Sequence, residues 1–249
     1  MKKLPLFISH GKLLKNNFIS ENRKFYKISF KFLVMILNTE MLSSLERIGS
    51  NIREIEFSSC FIPTLKILIN FPKVEKITIR ACIFQNQFAN DLKLEHINKL
   101  ELNYDINGEH DDFSQFLSIF PNLTDITFTD QIPFETFSCL PKLCISLTSL
   151  SLRLCLLPGN YRNVKFLALK KFHLEIVDGG NNWSDLVMSN PTIETLSFKT
   201  IRNWVFNADI LIKVFELLPN MMHLKLGGAM KEKLNLFQNM KKSIKISLT

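Results

Sequence analysis

Thiols are the residues here whose chemistry depends most on their surroundings, since only a thiolate attacks, ligates metal or exchanges disulfides. Cys60, Cys82 and Cys155 each close the same phrase: Ile52-Arg-Glu-Ile55-Glu-Phe57-Ser-Ser-Cys60, Val74-Glu-Lys-Ile77-Thr-Ile79-Arg-Ala-Cys82 and Leu147-Thr-Ser-Leu150-Ser-Leu152-Arg-Leu-Cys155. With the first apolar residue as p, the phrase is apolar at p, p+3 and p+5 with a thiol at p+8. Thiols at one position of successive repeats stand about one strand spacing apart in a dry interior, roughly 4.8 Å, and do not converge on one ion. They read as small side chains that turn inward and bond the backbone of the adjacent turn. Cys139 and Cys144 flank Leu140-Pro141 and read as buried hydrophobes. There is no CxxC pair and no Cys/His cluster at zinc spacing, so no metal site is expected.

Histidine and carboxylate patterns give no catalytic set. His96, His110, His173 and His223 fall in separate repeats, and Glu109-His110-Asp111-Asp112 reads as the solvated start of a helix. HExxH, GxSxG, a P-loop and GxGxxG are all absent, which predicts neither an enzyme nor a cofactor. The remaining chemistry is cationic. Arg80, Arg153, Lys165, Lys170, Lys199 and Lys225 fall in or beside the repeated phrases, and a guanidinium grips carboxylate or phosphate oxygens bidentately. Tyr104, Phe166 and Trp204 are candidate apolar anchors near them. Two readings stay open: these cations hold an acidic or phosphorylated segment of a protein partner, or they keep a sheet face soluble. The formal net charge is +8, but both signs are interspersed and no run of five basic residues occurs, so nucleic acid is not the expected partner.

These residues need elements to position them. Copies of the phrase begin at Ile52, Val74, Ile97, Leu123, Leu147, Val164, Ile193 and Met221, with spacings of 22, 23, 26, 24, 17, 29 and 28 residues. Alternation from p+3 to p+5 is the period-two signal of a short strand. Stretches of helical spacing lie between: Met41, Leu42, Leu45 and Ile48; Phe113, Phe116, Leu117 and Phe120; Ile210, Leu211, Val214, Phe215 and Leu218. Asp112 and Asp209 are candidate N-caps, and Pro72, Pro121, Pro191 and Pro219 recur two residues before a strand, ending the helix. Strand–helix–strand units running one way demand a parallel sheet, and repeats of 20 to 30 residues with this pattern predict an α/β leucine-rich-repeat solenoid. The expected form is a curved parallel sheet on the concave side with helices on the convex side. Residues p, p+3 and p+5 would fill the core, leaving p+2, p+4 and p+6 on the concave face.

The repeat domain is expected over residues 25–249, about eight to ten irregular repeats, with residues 1–24 a basic N-terminal segment or cap. Phe25, Ile28 and Phe30 fit the phrase, a last strand is expected at Ile244–Leu248, and Phe172–Val177 extends the strand region in the least regular stretch. The apolar run Leu6-Phe7-Ile8 is shorter than a signal peptide needs, and no stretch reaches the about 20 apolar residues of a membrane span. Reduced thiols and the missing span predict a cytoplasmic or nuclear protein with no membrane partner.

LxxLxLxxC with a helix on the return path resembles the cysteine-containing leucine-rich repeats of animal F-box/leucine-rich-repeat proteins, over about residues 25–249. Asn22-Arg23-Lys24-Phe25-Tyr26 running into Ile28-Ser-Phe30 is similar to the junction after an F-box in that family. The resemblance implies the target-binding repeats of a ubiquitin-ligase substrate receptor, with a ligase adaptor as partner only where an F-box is supplied. The F-box pattern itself is not found. The alternative function is a free-standing scaffold or inhibitor built on the same repeats.

Overall fold

The computed structural model describes residues 4–9, 25–31, 49–62, 64–84, 91–103, 110–154, 159–176, 182–200, 213–214, 216–228 and 244–248. They fall into two compact units, Met1–Leu123 and Thr124–Thr249. In the first, strands β1 (Leu4–Ser9), β2 (Phe25–Lys31), β3 (Glu54–Ser58), β5 (Lys76–Arg80) and β7 (Lys99–Leu102) pair in parallel in that order. Short strands β4 (Phe61–Ile62) and β6 (Ile83–Phe84) form a second parallel ladder. A 3-10 turn at Leu65–Asn70 and helix α1 (His110–Ser118) supply return segments. In the second unit, β8 (Asp125–Phe128), β9 (Ser149–Arg153), β10 (Lys171–Ile176), β11 (Thr195–Thr200), β12 (His223–Gly228) and β13 (Lys245–Leu248) pair in parallel, with α2 (Phe134–Leu143) and α3 (Asn182–Met188) between strands. One parallel strand per repeat with a turn or helix on each return is the α/β leucine-rich-repeat solenoid fold.

The ladder aligns the phrase with itself. Ile28, Ile55, Ile77 and Leu100 stand in register, as do Phe30, Phe57, Ile79 and Leu102, and all are buried. Ile126, Leu150, Phe172, Leu196 and Leu224 do the same in the second unit. Each buried side chain of this size is worth about 1.5–3 kcal/mol, so a strand that slipped one residue would lose its whole contribution. The prolines act through a turn closed by Val74 N–H on Phe71 O (3.0 Å) and by Ile193 N–H on Asn190 O (3.2 Å). Pro72 and Pro191 take the second position of that turn, where their fixed φ fits. The next two N–H groups then share one carbonyl of the preceding repeat: Glu75 and Lys76 bond Arg53 O, and Glu194 and Thr195 bond Lys170 O.

This bonding corrects one repeat. Lys170 and Lys171 N–H both bond Thr148 O, so the phrase after Leu147 begins at Leu169 and continues through Phe172 and Leu174, not at Val164. Leu167, expected in the core, is 77% exposed. The repeat starts become 147, 169 and 193, and the outlying spacings of 17 and 29 become 22 and 24. The misreading has a physical source: Val164 N–H closes a turn on Tyr161 O (3.0 Å), imitating the turn that precedes each strand. The loop after it is held by Asn190, which is 1% exposed. Its Oδ1 accepts from Phe166 N–H (2.7 Å), and its Nδ2 donates to Val164 O (2.9 Å) and Leu186 O (2.6 Å).

Three further expectations meet the structure. The sheet extends into residues 1–24, where Leu6 and Ile8 stand in register with Ile28 and Phe30; Lys3 at p hides the copy in sequence. Asp112 lies inside α1, which starts at His110, so it is not the N-cap. Met41–Ile48 and Asp209–Leu211 lie outside the described residues.

Residues at p+7 share a backbone state. Ser59, Ala81 and Leu154 have φ of 53°, 47° and 60°, the left-handed region that turns the chain after the strand. A side chain there costs about 1–2 kcal/mol. Leu154 is about half exposed and gains little from packing, so Leu154→Gly is expected to raise stability by about 1 kcal/mol in urea unfolding. A lower midpoint would count against strain at this turn. The following thiols behave as expected: Cys60 Sγ donates to Phe30 O and Ser58 O, each at 3.3 Å, and Cys82 Sγ to Arg80 O at 3.3 Å. A hydrogen bond with Cys60 and burial push the Cys82 thiol up, so it stays unreactive. Burial pushes Cys144 up to about 12. Cys155 lies outside the described residues.

Candidate functional site

The p+2, p+4 and p+6 residues line the sheet face opposite the core, and the two units use it differently. In Met1–Leu123 the p+4 row is Ser29, Glu56, Thr78 and Glu101, in register and all buried. Two carboxylates in a buried row need compensation. Glu56 receives Lys27 Nζ at 2.7 Å, Ser29 Oγ at 3.1 Å and Arg80 at 3.3 Å. Glu101 receives Lys76 Nζ at 2.9 Å and Arg80 at 2.7 Å. Burial raises both carboxyl pKa values, but the bonds from Lys27 and Ser29 on one, and from Lys76 and Arg80 on the other, outweigh it and hold both below the usual carboxylate value. Arg80 bridges the two carboxylates across strands. Its guanidinium is therefore engaged inside the unit, which its sequence position does not reveal.

In Thr124–Thr249 the charges are arranged differently. The p+4 row reads Thr127, Ser151, His173, Ser197 and Lys225 in register, and the p+6 row Arg153, Glu175, Lys199 and Gly227. Arg153, Lys171, Lys199, Lys225 and Lys245 project from the strands as exposed cations against the carboxylates Asp125 and Glu175. Glu175 is taken by Lys199 at 2.7 Å. His173 Nδ1 lies 2.8 Å from Ser197 Oγ, and Ser151 Oγ, on the other side of His173, is buried without a hydrogen-bond partner among the described residues. Burial and the charge of Arg153, helped by Lys199 and Lys225 and opposed by Glu175, lower the His173 pKa. The imidazole is thus neutral near pH 7 in a strongly cationic setting.

The residues singled out from sequence separate accordingly. Arg153, Lys199 and Lys225 come together on the face of the second unit. Arg80 sits on the first unit's face within its ionic network. Lys165 and Lys170 are exposed but belong to the loop and turn before β10, and Lys170 pairs with Glu194 at 3.0 Å; the displaced repeat had put them on the face. Phe166 is no surface anchor: it is 5% exposed and packs edge-on to Phe137 at 6.3 Å. Tyr104 and Trp204 lie outside the described residues. Sequence reasoning placed Ser151 on the face but passed over His173, Ser197 and Lys171, and the 17-residue gap was the signal that could have found two of them. Setting the repeat at Leu169 puts Lys171 at p+2 and His173 at p+4. Among the described residues, no group of three or more His, Cys, Asp or Glu stands where it could hold a metal ion, and no helix is long and apolar enough to cross a membrane.

No protein-family pattern matches the sequence, and no curated protein matches it. Solved structures that resemble the chain carry leucine-rich repeats. The internalin inlF of Listeria monocytogenes is 15% identical, with 90% of this chain and 72% of that one covered at a TM-score of 0.37. The internalin C2 of the same bacterium is 14% identical, covering 90% and 81% at 0.33. A TLR13 structure, solved as a complex with ssRNA13, is 13% identical, covering 90% and 46% at 0.31. The fold assignment rests on the registered parallel ladder of each unit.

Proposed function

We propose that this chain is a protein-binding repeat module that takes an acidic or phosphorylated segment of its partner on the sheet face of Thr124–Thr249. One observation carries the reading: five exposed cations on parallel strands face two carboxylates, one of them already paired. Such a surface steers and holds negative charge. Among the described residues, no Phe, Tyr or Trp occupies p+2, p+4 or p+6 of β8 to β13, so the only rings this face offers for base stacking are the imidazoles of His173 and His223. The first unit's face, where Glu56 and Glu101 engage Lys27, Lys76 and Arg80 in one ionic network, takes a structural part in this reading.

The biological setting proposed is that of a substrate receptor for ubiquitin ligation, supported by the LxxLxLxxC resemblance and by the inward thiols Cys60 and Cys82. A free-standing scaffold in the cytoplasm or nucleus is the second reading. Co-purification of a cullin and its adaptor with the tagged chain distinguishes them, and recovery of neither removes the ligase reading. For the face itself, Arg153→Glu with Lys225→Glu is expected to weaken binding of a polyglutamate-containing peptide at least tenfold in fluorescence anisotropy. Lys170→Glu, off the face, should change it less than twofold. Equal effects of the two variants would remove the face from the binding model.

A further inference from the structure

We propose that Ser151, His173, Ser197 and Lys225 form a phosphoryl-group site for a phosphoserine- or phosphothreonine-containing peptide. The inference rests on the reading of this face as the partner-binding surface and narrows its ligand. The four residues occupy one row of four neighbouring strands, each directly in register with the next: Ser151 with His173, His173 with Ser197, Ser197 with Lys225. Adjacent strands lie about 4.8 Å apart, so a tetrahedral phosphoryl group above His173 reaches hydroxyls on both sides. Lys225, one strand beyond Ser197, adds positive charge that acts on His173. In the adjacent row Arg153 and Lys199 flank Glu175, and Gly227 places no side chain beside Lys225.

Three features point to a phosphoryl group rather than a carboxylate. Ser151 Oγ is buried with no partner among the described residues, an orphan hydroxyl that a ligand oxygen would satisfy. A phosphoryl group offers three acceptor oxygens and nearly two charges, matching two hydroxyls, an imidazole and a lysine better than the two oxygens of a carboxylate can. His173 bonds Ser197 through Nδ1, and its other ring nitrogen has no partner among the described residues. The charges facing the imidazole are Arg153 from β9, Glu175 from its own strand, Lys199 from β11 and Lys225 from β12. A dianion placed among them reverses the local field, so His173 takes up a proton on binding and donates a charge-assisted bond. Affinity should therefore rise as pH falls from 8 to 6.5.

The test uses the full chain and three labelled peptides that differ at one residue: phosphoserine, glutamate and serine. The phosphoserine peptide is expected to bind at least tenfold tighter than the glutamate peptide at pH 7. Ser151→Ala should reduce that ratio by about fivefold or more while leaving the glutamate affinity within twofold. His173→Gln should flatten the gain between pH 8 and 6.5, which a purely structural histidine would not do. Circular dichroism checks that both variants keep the fold. Equal binding of phosphoserine and glutamate peptides overturns the phosphoryl site and leaves the basic-face reading intact. Failure of both peptides to bind overturns both. Tighter binding of an oligouridylate than of the phosphoserine peptide overturns the choice of a peptide ligand.

Discussion

Asn190→Ala is expected to destabilise the Thr124–Thr249 unit by about 3–5 kcal/mol, the largest effect of any single polar substitution proposed for this chain. Its amide does three tasks from one buried position, accepting from Phe166 N–H and donating to Val164 O and Leu186 O. Alanine leaves those backbone groups unpaired in the interior, each costing about 1–3 kcal/mol, with partial relief where water enters. Phe166 and Val164, both buried, would lose the anchor that keeps their loop against Phe137. Urea unfolding followed by tryptophan fluorescence reads this directly, because Trp183 and Trp204 both fall within the second unit. A cost below about 1 kcal/mol would show that the loop does not depend on the amide. Asn190→Asp sharpens the test. It keeps one acceptor, loses both donors and buries a carboxylate against carbonyls, so its pKa rises. The penalty is then full at pH 7 and shrinks as pH falls towards the unfolded carboxyl value of about 4.

The second large effect belongs to the first unit. Glu101→Gln preserves volume but removes the charge on which Lys76 and Arg80 converge, with an expected cost of about 2 kcal/mol. That figure already allows for screening, because both cations are more than a third exposed. Glu56→Gln should cost less singly. The double variant should depart from the sum of the two, since Arg80 bonds both carboxylates. The pH sign follows from the lowered carboxyl values. Folded Glu56 and Glu101 lose their protons more readily than the unfolded chain does, so their contribution is fully present above the unfolded value, about 4.3, and is lost as pH falls through the folded values. Acid titration of the wild-type chain should show a transition that Glu56→Gln with Glu101→Gln reduces. An unchanged acid limb would show that the network does not carry the acid sensitivity.

Much of the fold was legible because its signals are local. Leu147, Leu150 and Leu152 announce a strand and its buried side within six residues, and Pro72, Pro121, Pro191 and Pro219 mark turns by a fixed φ. The failure at Val164 is equally local: a genuine turn at Tyr161–Val164, followed by apolar residues at strand-like spacing, satisfies the pattern without joining the ladder. Only the hydrogen bonds of Lys170 and Lys171 to Thr148 exclude it, and they run between residues more than twenty positions apart.

The candidate site was less legible for a related reason. Sequence showed that Arg80, Arg153, Lys199 and Lys225 fall in repeats, but not whether each charge is already spent. Arg80 meets Glu56 and Glu101 on the strands to either side, whereas Lys225 has no ion-pair partner among the described residues. The alternation of apolar side chains, set by strand pleating, determines which residues are core and which are outward, and the sequence carries that by itself. Which outward charges neutralise one another depends on register across strands and on contacts of a few ångströms, over which a Coulomb interaction changes severalfold. Tertiary structure alone decided that Lys27, Lys76 and Arg80 of the first unit are engaged by Glu56 and Glu101, and that the second unit's face holds a neutral histidine and, among the described residues, an unpartnered serine in a row next to exposed cations.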